Sequence, residues 1–259
     1  MKKSLFNHAG AMVIVAVSLW LLACQKDTPE ESEALSFSKG SKLSEQKAVV
    51  DRDYVDSKVY PPNSDPFGKS YTEWTVNWML QLLSSNCAQN PYINPANALF
   101  YQKGPVCFLA PQTKDHTSTF IKVPRDKAIL FPLIHSVQEY PCHDQVFEPV
   151  KGQSLEDFLR EAALSDMADV GEVSVEVDGI PIIQPASYKF TSGLFRFIGN
   201  PELAACLDEC ITGKPQAAVT SGYFLMLRPL SPGGHTVHYE VESLGFNTPQ
   251  KGTFYVYVH

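Results

Sequence analysis

No cluster of basic residues occurs in this 259-residue sequence, where 21 Lys and Arg stand against 28 Asp and Glu for a formal net charge of −7. An acidic chain without a basic face has nothing to neutralise phosphates with, which excludes a nucleic-acid role. Three sequence signatures of catalysis are also missing: the Gly-x-Ser-x-Gly turn of a serine nucleophile, the His-Glu-x-x-His helix of a metalloprotease, and a glycine loop that cradles phosphates. His235 and His238 are three apart in a segment that reads as strand, so they point to opposite faces and make no metal pair. Cys206 and Cys210, four apart, would share one face of a helix. No second Cys/His pair stands at ligand spacing to complete a zinc site with them. The sequence therefore predicts neither a metal site nor a cofactor. It contains no internal repeat.

What is present begins at the N-terminus. Lys2 and Lys3 precede an apolar run from Ala9 to Ala23, which is too short and too one-sided for a membrane span and reads as a secretory signal over 1–23. Its end, Leu21-Leu22-Ala23-Cys24, resembles the lipobox of bacterial lipoproteins. That resemblance implies cleavage before Cys24, fatty acylation of Cys24, and a mature protein held to a membrane by lipid. Loss of the two lysines takes the net charge to about −9. Gln25 stands where enterobacterial lipoproteins retained at the inner membrane carry aspartate. Cys24-Gln25-Lys26-Asp27 resembles the surface-export signal of lipoproteins in the Bacteroidetes, so the expected location is the outer membrane or cell surface. Residues 24–62 are rich in Ser, Glu, Lys and Asp and poor in large apolar side chains. Such a stretch cannot bury enough surface to offset its ordering entropy, and it reads as a tether. A short strand at 49–55 is its one candidate element. Pro61-Pro62-Asn63-Ser64-Asp65-Pro66 marks the expected boundary, with a single domain over 63–259.

That domain opens on Ser70-Tyr71-Thr72-Glu73, a capping box in which serine and glutamate satisfy each other's backbone N–H groups. Tyr71, Trp74, Trp78 and Leu82 follow at helical spacing and predict one buried stripe. Short apolar runs come next. Strands are predicted at 104–110, 118–123 and 127–135. Pro132 within the last of these places it at a sheet edge or at a bulge. Ser154-Leu155-Glu156-Asp157 starts a second helix. Val173 to Val177 alternates strictly, and Asp178-Gly179 then predicts a hairpin into Ile180. One or two strands fall in 188–197, a short helix or helical loop in 201–209 and a strand in 221–229. His235 to Glu242 and Gly252 to His259 alternate and read as a final hairpin. Many short strands with few helices argue for a mainly β (α+β) fold. The expected form is an antiparallel two-sheet β-sandwich with an N-terminal helix and a second, inserted helix.

Five blocks carry a resemblance across about 66–259: Gly68 to Trp74 with Trp78, Gln102 to Leu109, Ala128 to Pro132, Val177-Asp178-Gly179, and Leu230 to Val237. Together they resemble a family of exported bacterial proteins with no assigned activity. Members often carry further tryptophans where this chain has Met79 and Gln81, and an aromatic where it has Cys107. The resemblance implies a fold and no mechanism.

Beyond Cys24 the cysteines are Cys87, Cys107, Cys142, Cys206 and Cys210. Export favours disulfides, and five is odd, so at least one stays outside an internal bridge. Cys142-His143-Asp144 reads as a disulfide cysteine in a polar loop. The first functional expectation is a non-catalytic, lipid-anchored binding module for a glycan or protein ligand, with Glu73, Trp74 and His135 as candidate contacts. The alternative is an envelope hydrolase assembled around Glu73, His135, His143 and Asp144, so enzymatic activity is left open. A polar cleft joining two of those four would decide for the enzyme.

Overall fold

The computed structural model describes residues 58–111, 118–142, 146–243 and 250–259. The signal, Cys24, the stretch at 49–55, His143 and Asp144 lie outside the described residues.

The capping box forms as the sequence predicts. Ser70 Oγ accepts the Glu73 N–H at 3.3 Å, and the Glu73 carboxylate accepts the Ser70 N–H at 2.8 Å. Helix α1 then runs Tyr71–Ser84, with Tyr71, Trp74, Trp78 and Leu82 buried along one face. Its last turn is closed from a distance, since Asn200 N–H donates to the Leu83 carbonyl at 2.8 Å.

Two sheets build the rest. The first is ordered β1 (Leu99–Tyr101), β2 (Val106–Leu109), β4 (Ala128–Tyr140), β9 (Pro215–Leu227) and β7 (Lys189–Thr191), and β8 (Phe195–Ile198) also pairs with β9. The second is ordered β3 (Ser118–Val123), β11 (Gln250–Val258), β10 (Gly233–Ser243), β5 (Val170–Val177) and β6 (Ile180–Pro181). Phe131 of β4 meets Phe254 of β11 at 5.6 Å and Tyr239 of β10 at 6.4 Å between ring centres, which joins both sheets in one core. The mainly β, two-sheet α+β sandwich is therefore the observed fold.

The sheets are mixed, however, where the sequence predicts antiparallel ones. β2 pairs with β4 in parallel, and so does β3 with β11. The cause is the position of β3, which falls between β2 and β4 in the chain but joins the opposite sheet. Going out and back returns the chain in its original direction, as a crossover does.

β4 shows how Pro132 is tolerated. The strand is central, not an edge, and Pro132 lies past the last β2 pair and just before a bulge between Pro132 and Ile134. A ladder donor is dispensable there. The extra residue, Leu133, reverses the facing of all that follows. Phe131 pairs with Leu225 on the face toward the second sheet. Strict alternation would put His135 on that face too, but the bulge pairs it with Gly222, in phase with Phe224 on the α1 face. Gly222 is needed at this point, because a Cβ there would lie 2.5 Å from the Ile134 carbonyl oxygen and 2.7 Å from His135 Cα.

Helix α2 (Leu155–Asp166), capped by Ser154, packs Leu159 and Ala163 on Val219 of β9. With α1 on one face and α2 and the second sheet on the other, β9 is buried from Gln216 to Leu227. The expected short helix in 201–209 is α3 (Leu203–Cys206). The Asp178-Gly179 turn forms with φ 56° and 73°, both positive as a two-residue hairpin of this hand requires. Between α1 and the strand predicted at 104–110 the chain also forms β1, a strand too short to show a pattern in the sequence.

The domain also starts earlier than 63. Val59 is buried and bridges to Leu227, Tyr60 N–H donates to the Met226 carbonyl, and Arg228 N–H donates to the Lys58 carbonyl. The polar composition of 24–62 conceals this, since one valine suffices to dock the segment on the end of β9. Two disulfides, Cys87–Cys206 and Cys142–Cys210, tie the loops at the C-terminal ends of α1 and β4 to the connection between β8 and β9. Cys107 is a buried free thiol on β2.

Candidate functional site

The polar turn before α1 shapes one wall of a cleft. Pro66–Gly68 forms a single 3₁₀ turn in which Phe67 is held at φ 58°. The left-handed region costs a non-glycine residue of order 1 kcal/mol or more. The turn is pinned by Trp74, whose indole N–H donates to the Pro66 carbonyl at 2.8 Å. Phe67 stands 43% exposed, edge-on to Trp74 at 6.4 Å and to Tyr60 at 5.7 Å. Asn77 and Gln81 follow Trp74 along the same edge of α1.

The β1–β2 hairpin supplies the opposite wall. Tyr101 stacks on Phe108 at 4.7 Å, and Phe108 meets the Trp74 ring at 6.2 Å. The connecting loop carries Lys103, Gly104 and Pro105 and is held by the Lys127 ammonium, which donates to the carbonyls of Gly104 and Gln102. Between the walls lies an open cleft of ≈ 300 Å³. Its floor is Trp74 and Phe108, its walls Phe67 and Tyr101, and its polar lining Asn77, Gln81, Lys69 and Lys103. Of the two positions at which the resembling family often carries further tryptophans, Met79 is fully buried and Gln81 opens on this cleft.

Of the candidate residues that are described, Glu73, Trp74 and His135, only Trp74 lines it. Glu73 accepts from both the N–H and the hydroxyl of Ser70, and these bonds hold its carboxyl below the usual range. His135 sits farther along α1, edge-on to Trp78 at 5.0 Å, with Nε2 2.6 Å from the Tyr92 hydroxyl. Its Nδ1 is buried with no hydrogen-bond partner among the described residues. Burial pushes the imidazole down to about 4 and the Tyr92 phenol up, so both are neutral at pH 7. Glu73 and His135 share no hydrogen bond or ion pair among the described residues, and the other two members of the hydrolase grouping, His143 and Asp144, lie outside them.

The neutral state of His135 has a consequence for stability. The unfolded chain takes up this proton near the ordinary value of 6.5, and the folded chain resists until about 4. The stabilisation is complete above 6.5 and is lost as pH falls toward 4, with a ceiling of roughly 3 kcal/mol. A His135→Gln variant is expected to show a shallower fall in unfolding free energy between pH 7 and 4 than the wild type. Identical slopes would refute the assignment.

Two groupings escape a sequence reading because their members are distant in the chain. Asp178 Oδ2 lies 2.9 Å from His235 Nδ1, and Ser231 Oγ lies 3.3 Å from His235 Nε2, the order of a nucleophilic triad. His235 Nε2 is nearer the Ser231 carbonyl oxygen, at 2.8 Å, an acceptor to which Nε2 must donate an N–H, so no lone pair is left there to take the Ser231 hydroxyl proton. Asp178 also accepts from Lys58 and from the Thr236 N–H. Burial alone would raise its carboxyl, but these bonds and that from His235 prevail and hold it at about 2. The group staples the N-terminal segment to the second sheet. The other grouping is Glu139, Asp208 and Cys210, all within 4.8 Å. The Cys210 sulfur belongs to the bridge with Cys142, so no thiolate is present to bind a metal.

No family model and no curated protein matches the chain. Among solved structures, a cysteine protease inhibitor from Entamoeba histolytica is similar over 60% of this chain and 100% of its own, at 11% identity and a TM-score of 0.23. PbICP-C, solved in complex with falcipain-2, covers 60% of this chain and 100% of its own at 11% identity and a TM-score of 0.22. Amebosin covers 58% and 97% at 11% identity and 0.19. Likeness at that level carries no argument about fold or function.

Proposed function

We propose that this protein is a non-catalytic binding module of the cell envelope or surface, held by lipid at Cys24, and that its cleft binds a glycan. The observation that carries the reading is the exposed Phe67 ring, presented to the cleft from a strained backbone with Tyr101 on the opposite wall. Strain of this kind persists only where surrounding structure imposes it, and it concentrates at binding sites. A sugar ring has a C–H face and a hydroxyl rim. Aromatic rings complement the first, and the amides of Asn77 and Gln81, each both donor and acceptor, complement the second. Among the described residues the cleft lining contains no carboxylate and no histidine to serve as an acid–base pair. The lipid anchor rests on the lipobox resemblance, as does the outer-membrane or surface location.

Phe67→Gly tests the cleft, because glycine adopts the same φ without strain while the ring is removed. The purified wild type is expected to bind at least one sugar on a glycan array. The variant should lose that binding while its unfolding free energy stays within about 1 kcal/mol of wild type. An array with no signal, or a variant that binds unchanged, would defeat the reading. For the anchor, a fatty-acid probe fed to expressing cells should label wild type and not Cys24→Ser; equal labelling of both would defeat it.

A further inference from the structure

The cleft is lined by cations in a protein of formal net charge −7. We infer that its occupant is an acidic glycan, one bearing carboxylate or sulfate groups, held between the ammonium groups of Lys69 and Lys103. The inference rests on the glycan reading above and narrows it. Lys69 follows the 3₁₀ turn on one wall, its Nζ 5.3 Å from the centre of the Trp74 ring. Lys103 projects from the β1–β2 loop on the other wall. Neither forms an ion pair with a carboxylate of the described residues, in contrast to Lys58, which is bound to Asp178. Glu73, the acid that Lys69 senses, has its carboxylate bound to the N–H and hydroxyl of Ser70, at the helix start. The lysines are therefore available to a ligand, and among the described residues no acid lines the cleft to repel an anion.

Shape selects a sugar over an acidic peptide. The Lys127 ammonium ties the β1–β2 loop down through its own carbonyls, which removes main-chain acceptors that an extended peptide would use. Ring walls and side-chain amides remain, and these suit pyranose rings.

Native affinity electrophoresis of the purified, detergent-solubilised protein separates the possibilities. The gels contain polygalacturonate, alginate, hyaluronan or chondroitin sulfate, then methyl-esterified pectin, galactomannan or β-glucan, then poly-glutamate. The expected result is retardation by at least one acidic polysaccharide and by none of the neutral ones or poly-glutamate. A Lys69→Gln/Lys103→Gln double variant should bind the retarding polysaccharide roughly tenfold more weakly, as two exposed ion pairs predict. Retardation by a neutral polysaccharide, unchanged in the double variant but lost in Phe67→Gly, would overturn the acidic ligand and leave the glycan reading standing. Retardation by no polysaccharide would overturn both. Equal retardation by poly-glutamate would replace the sugar with an acidic peptide.

Discussion

Trp78→Ala is expected to lower the unfolding free energy by about 3–5 kcal/mol, as deletion of a buried tryptophan does through lost transfer energy and the cavity left behind. Trp78 is 0% exposed. Its indole N–H donates to the Leu109 carbonyl of β2 at 3.1 Å, and its ring meets Phe100, His135 and Phe224 at 5.4, 5.0 and 5.9 Å. One side chain thus joins α1 to β1, β2, β4 and β9. The loss is a large share of the roughly 5–15 kcal/mol that stabilises a domain, so the denaturant midpoint should drop sharply or soluble protein should disappear. Trp78→Phe, which keeps most of the volume and forfeits the hydrogen bond, should remain soluble with an intermediate midpoint. A Trp78→Ala protein that unfolds at the wild-type midpoint would show that α1 is not keyed to the sheet through this residue.

The second large effect is expected from the Cys87–Cys206 bridge. It spans 119 residues, and closing so long a loop removes much of the entropy of the unfolded chain. The Cys87→Ser/Cys206→Ser protein should lose about 2–4 kcal/mol of unfolding free energy. The bridge lies close to where Asn200 closes the end of α1, so amide exchange should quicken first around Leu82 and Leu83. The Cys142–Cys210 loop spans 68 residues and overlaps the first, so removing both bridges should cost less than the sum of the two. Over residues 58–259 the denatured, unreduced wild type should expose one thiol, that of Cys107, and the double serine variant also one. A variant within about 0.5 kcal/mol of wild type would show that the bridge does not constrain the unfolded chain.

The features that local sequence determined are those whose partners stand a few residues apart. Ser70 and Glu73 fix the start of α1, Ser154 fixes that of α2, and Asp178-Gly179 fixes a turn, because each interaction closes within three residues whatever the rest of the chain does. The stripe through Trp74 and Trp78, and the alternation of Val237, Tyr239 and Val241, were legible for the same reason. A period in the sequence becomes a face in space. The bulge at Leu133 shows where that rule stops. Pro132 signalled a bulge or an edge, but only pairing with β9 decided between them, and with it the face on which His135 lies.

Tertiary structure alone decided the parallel strand pairs, the partner of each cysteine and the docking of Val59, since each joins residues from 22 to 168 positions apart. The candidate site has the same origin. Trp74 was visible as an aromatic on a helix, but Phe67, Tyr101 and Lys103 come from a turn and a hairpin that carry no periodic signal. They form a site only because the packing of Trp74 against Phe108 brings the two segments together. Burial of apolar rings, which is non-directional and indifferent to chain distance, decided that contact, and no local pattern encodes it.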